Sequence, residues 1–169
     1  MKSIFSLILV LLFSVQSYAQ DAYQQALESL KTELEFEMTS DSITIADHPA
    51  EKILERFEFC AESERLSFLK ELNFGAIKQA RSAELVTSYW PGKWYVDFME
   101  WEFHSTGSAV AFENRLNRED HKRIQYCVNK GGMFWLRIDS KLYVFTSRAY
   151  FVTFHYEEIR AAILEGLNG

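Results

Sequence analysis

The stretch from Tyr89 to His104, YWPGKWYVDFMEWEFH, carries three of the four tryptophans and limits what the rest of the chain can build. Aromatic and branched residues dominate it, so a long strand is expected from Lys93 onward. The apolar residues change phase along it. Trp94, Val96 and Phe98 fall on one face, whereas Met99, Trp101 and Phe103 fall on the other. A one-residue slip carries every later side chain across a sheet, so a β-bulge or sharp twist is expected at Phe98 and Met99. Trp94 and Trp101 are expected to point to opposite faces. Pro91-Gly92 suits a type II turn, which fits a corner from a preceding helix as well as a hairpin.

The first residues set the compartment. Lys2 precedes an apolar run from Ile4 to Val15, followed by Ser17-Tyr18-Ala19 with small residues three and one positions before a cut. That pattern is a secretory signal peptide over residues 1–19. The run is shorter than the ~18 residues a spanning helix needs, and no later stretch qualifies. The expected mature chain therefore starts near Gln20, forms a single α+β domain over residues 20–169, and is periplasmic or secreted without a membrane span.

A domain of that size can bury a core without metal or several crosslinks. The full chain has a formal charge of −6. Between Gln20 and Glu64 there are 12 acidic and 3 basic residues, so the excess negative charge lies in the first third. Nucleic-acid binding rests on neutralising phosphates with Lys and Arg, and the acidic balance argues against it.

Helical spacing of Tyr23, Ala26, Leu27, Leu30 and Leu34 predicts a helix within residues 21–38. A short strand is expected at Ile43-Thr44-Ile45. Asp47-His48-Pro49 announces a helix carrying Ile53, Leu54, Phe57 and Cys60, and Ser63 starts another through Leu72. A further short helix is expected from Ala76 to Glu84, with Leu85-Val86-Thr87 already able to join the sheet. After the aromatic strand, Ser105 and its neighbours cap a helix bearing Ala109, Val110, Phe112 and Leu116. Met133 to Ile138 and Lys141 to Thr146 read as a hairpin about Asp139-Ser140, with a third run at Tyr150, Val152 and Phe154. A helix with Ile159, Ala162, Ile163 and Leu167 on one stripe closes the chain. These elements predict an antiparallel sheet of three to five strands, covered on one side by helices, with a helical N-terminal third.

Glu100, Glu102 and His104 form the most specific polar row. Alternate carboxylate and imidazole ligands on one strand face suit zinc, and this is the basis of an alternative reading as a metal-dependent hydrolase. A solvated strand face explains the same residues and is the favoured account, because no adjacent second His motif completes a site. Trp90 and Trp94 flank the Pro-Gly turn and are the chosen binding pair if any aromatics act outside the core. Cys60 and Cys127 permit a disulfide in an oxidising compartment, worth roughly 4 kcal/mol in the chain-entropy model. Two buried free thiols is the slightly preferred alternative, since both cysteines sit on apolar helical faces. The favoured function is a non-enzymatic exported module without a cofactor. It would bind a protein or envelope component through the Trp90–Trp94 end or through the acidic helical third.

Overall fold

A computed structural model describes residues 21–40, 43–46, 72–117, 132–147 and 151–168. It begins with helix α1 (Ala22–Leu34), whose N-cap Asp21 accepts from the Tyr23 backbone N–H. All five residues of the expected stripe, Tyr23, Ala26, Leu27, Leu30 and Leu34, are buried. Glu35 ends the helix in the left-handed conformation, its N–H returning to Leu30 O.

Two short strands, β1 (Glu37–Met38) and β2 (Thr44–Ala46), follow and pair end to end along one edge of β3 (Ile77–Thr87). Residues 88–93 turn into β4 (Trp94–Phe103), with Gly92 at φ 106 supplying the left-handed position. The Pro-Gly turn thus closes a hairpin. Helix α2 (Thr106–Leu116), strands β5 (Met133–Ile138) and β6 (Lys141–Ser147), and helices α3 (Phe151–Phe154) and α4 (Tyr156–Asn168) complete the described elements. The sheet is antiparallel, in the order β1-β3-β4-β6-β5 with β2 beside β1 on the β3 edge. This is an α+β fold, as the element pattern predicts.

β4 lies at the centre and runs without a slip. Its register holds from Val96 to Glu102 against both β3 and β6, so no bulge interrupts Phe98 and Met99. The irregularity in the β3–β4 ladder falls instead between Ile77 and Gln79 of β3. Trp94 and Trp101 do face opposite ways, but ordinary alternation puts them there. The phase change in the apolar pattern has another cause: the two faces of β4 are covered at different ends.

On the face of Val96 and Phe98, α1 and α4 pack over Ala83, Leu85, Phe134 and Phe145. On the other face, α2 lays Ala109, Phe112 and Leu116 over Met99, Trp101, Phe103 and Leu142. The helical cover expected on one side is the α1–α4 pair, and α2 adds a second cover diagonally across the sheet.

Two expected elements are different in kind. The segment expected as a helix from Ala76 to Glu84 is a 3-10 turn (Phe74–Ala76) and then most of β3. Its Lys, Gln, Ala and Glu favour helix locally, but pairing along both edges wins. The expected third run at Tyr150, Val152 and Phe154 is in part the helical turn α3, because Phe151 and Val152 must both enter the core. The helices expected between Asp47 and Glu71 lie outside the described residues.

Candidate functional site

Straight alternation places Glu100 and Glu102 on the face covered by α1, beyond the apolar rows. Glu100 is 2% exposed. Its Cα partner across β3 is Arg81, and that across β6 is Tyr143. Arg81 donates from Nε to Glu100 Oε1 at 3.0 Å and also from Nη2, while Lys141 donates to Oε2 at 3.1 Å. The guanidinium also grips Asp21 in a forked contact, Nη1 to Oδ2 and Nη2 to Oδ1. It lies over the Tyr23 ring at 4.9 Å from the centroid.

The result is an alternating chain of charge from the N-cap of α1 through β3 and β4 to β6. Hydrogen bonds from Arg81 hold the Asp21 carboxyl below the usual range against a smaller opposing effect of burial. Burial above all, with the adjoining Glu100 carboxylate, raises the Tyr143 hydroxyl far above its ordinary value. Tyr23 is raised too, again chiefly by burial, and its hydroxyl donates to Phe98 O at 2.8 Å.

Glu102 is held by Lys78 at 2.6 Å, an interaction that lowers its carboxyl pKa. His104 lies past the end of β4 and is exposed. The three residues of the sequence row therefore part company: one is a buried ion-pair centre, one belongs to a surface pair and one is exposed past the strand end. Among the described residues no group of three or more His, Cys, Asp or Glu side chains is arranged to hold a metal. Binding zinc at Glu100 and Glu102 would require these carboxylates to abandon Arg81, Lys141 and Lys78.

Trp90 and Trp94 come together around α3. Trp94 stacks on Phe151 with centroids 4.9 Å apart, and Trp90 meets the same ring edge-on at 5.1 Å. Trp90 also meets Phe36, Tyr89 and His155, the imidazole centroid lying 4.3 Å away. Both tryptophans are half-buried, so much of their surface is spent fastening α3 to the sheet. Tyr89 is 51% exposed and Phe154 76% exposed. These two, which sequence reasoning passed over, are open aromatic surface at this end, and Tyr95, 54% exposed, adds more on the opposite face of β4 from Trp94. Phe154 fits the apolar spacing of a strand, and only the helical turn of α3 turns it outward.

The turn before α2 acts as its cap. Ser105 Oγ accepts from Ser108 N at 3.1 Å, and the two hydroxyls are 2.9 Å apart. Beside it lies an open depression of about 310 Å³ lined in part by Asn73, Gly107, Phe112 and Arg115. Cys60 and Cys127 lie outside the described residues. No family model, curated protein or solved structure matches the chain.

Proposed function

We propose that the protein is an exported, non-enzymatic binding module whose leader is cut after Ala19 and which meets an envelope protein or other envelope component through the aromatic end around Trp90. The observation that carries this reading is the outward placement of Tyr89 against Trp90, which is itself fixed by its neighbours, with Phe154 exposed next in the chain to the His155 that Trp90 meets. Exposed large aromatics next to a rigid aromatic support offer contact area at small entropic cost, and such residues are enriched in recognition surfaces. The charged chain centred on Glu100 serves a different purpose. Its acids and bases satisfy one another, and it ties α1 to the sheet.

The test is capture from an envelope fraction by three immobilised proteins: the native chain, a Tyr89→Ser/Phe154→Ser variant, and an Ile45→Ser variant. Ile45 is 58% exposed on the β2 edge and provides the control. A partner held by the native chain and the Ile45 variant, and lost by the aromatic variant, is the expected outcome. Equal capture by all three would remove the aromatic end from the account.

A further inference from the structure

His155 stands where the elements of the aromatic end meet. Its backbone N–H donates to Phe151 O at 3.1 Å, closing α3, and its carbonyl accepts from Ile159 N at 3.1 Å, opening α4. The imidazole lies against Trp90 with centroids 4.3 Å apart and against Phe151 at 5.1 Å. The residue thus joins the turn at residues 88–93 to the helices that flank Phe154.

One atom of this ring is out of balance. Nδ1 is buried and has no hydrogen-bond partner, although Glu158 Oε1 lies 3.9 Å away. In a neutral imidazole that nitrogen is an acceptor without a donor or a donor without an acceptor, and either way its loss of water is uncompensated. Protonation makes both ring nitrogens donors. Nδ1–H then faces a carboxylate that a small rotation of the exposed Glu158 side chain brings into a charge-assisted hydrogen bond. The same charge sits against the Trp90 ring, inside the ~6 Å reach of a cation–π contact, for which tryptophan is the best acceptor. We propose that His155 is a pH-operated clamp, which on protonation fastens the 88–93 turn to the α3–α4 junction and holds Tyr89 and Phe154 in fixed positions. The effect on capture rests on the proposed docking role of this end, whereas the clamp itself does not.

The surrounding charges favour the closed form at acid pH. Partial burial of the ring and the positive end of α4 both oppose a charged imidazole. Glu157 and Glu158, in the first turn of α4, counter the second effect. Tyr89 packs edge-on against Trp90, and Lys93 of the same turn is drawn away over the Tyr95 ring at 5.6 Å. Glu35 follows α1, next to the Phe36 that packs on Trp90, and adds negative charge on that side. The four residues of α3 carry no ionisable side chain, Tyr156 of α4 packs edge-on against Phe134, and Arg160 comes one residue after Ile159. Imidazole is the side chain whose charge changes near neutral pH, so the clamp closes as pH falls through that range and opens as it rises.

Tryptophan fluorescence of the full chain is followed between about pH 8 and pH 5, together with hydrogen exchange of the Tyr89, Trp90 and His155 amides corrected for intrinsic rate. The native chain should show a single step of quenching on acidification, as the charged imidazole forms beside Trp90, with slower exchange below the step. His104→Gln should keep both, and His155→Gln should lose both. Glu158→Gln should move the step to lower pH by roughly 0.2 to 0.4 pH unit, the value of an exposed helix pair. A flat native profile, or a step that survives in His155→Gln, overturns the clamp. Should His155→Gln give no cooperative urea transition, Glu158→Gln decides alone, and a step left in place overturns the clamp. Capture from the envelope fraction should be stronger on the acid side of the step for the native chain and unchanged across it for His155→Gln. A step accompanied by no captured partner at either pH overturns the docking role and leaves the clamp standing, whereas equal capture on both sides of an intact step overturns the control of docking by His155.

Discussion

Glu100 is the residue whose environment the primary structure concealed most completely. Alternation along β4 was visible, but its partner Arg81 lies in a segment with helical propensity, and only the strand pairing brings the two together. A buried carboxylate stripped of its guanidinium pays for desolvation without compensation. Arg81→Met should therefore destabilise the fold by about 2 to 4 kcal/mol, with Lys141 limiting the loss. Adding Glu100→Met should recover much of this, because a buried ion pair and a packed apolar pair differ little in net stability. Urea unfolding of the two singles and the double gives the coupling, and strictly additive losses would contradict the pairing. Glu102→Gln should change stability by no more than ~0.5 kcal/mol, since its pair with Lys78 is at the surface.

Among the elements, α1 and α4 were the most legible. Each shows its apolar stripe at helical spacing, and Ile159, Ala162 and Ile163 are buried as α1's five residues are. What spacing does not reveal is how closely two helices approach. A Cβ on Gly166 of α4 would lie 2.5 Å from Ala26 Cα and Gln25 O of α1. Alanine is the better helix former by about 1 kcal/mol, yet the backbone contact leaves it no room. Gly166→Ala should cost about 1 to 3 kcal/mol net as the helices are forced apart, measurable as a lower urea midpoint. An unchanged or higher midpoint would show that the pair can separate freely. β3 was misread for the opposite reason: its helix-favouring composition is overruled by partners distant in sequence, β4 above all. The β5–β6 hairpin was legible because its turn is local, with Asp139 accepting a φ of 51.

At the scale of the whole molecule, one central strand divides its two faces between two cores set at opposite ends. The charged chain links the helical cover to the sheet, and two carboxylates, Asp21 within it and Glu102 in the surface pair with Lys78, give stability a defined pH dependence. Asp21 and Glu102 have carboxyl pKa values lowered by folding. Their contributions are fully present above the ordinary carboxylate pKa of about 4 and are lost as pH falls through the folded values. Urea midpoints of the native chain should thus decline below about pH 4, and an Asp21→Asn/Glu102→Gln chain should show a shallower decline. The phase change in the aromatic stretch was readable as a fact about burial, but it was assigned to the backbone. Nothing in a single segment tells a strand that slips from a strand whose two faces are covered in different places. Residue-resolved hydrogen exchange along β4 decides between these most directly. A central antiparallel strand bonds its amides alternately to its two neighbours, so slow exchange should be continuous from Val96 to Glu102. A fast-exchanging amide at Phe98 or Met99, flanked by protected neighbours, would reveal a bulge there and contradict the uninterrupted strand on which both cores depend.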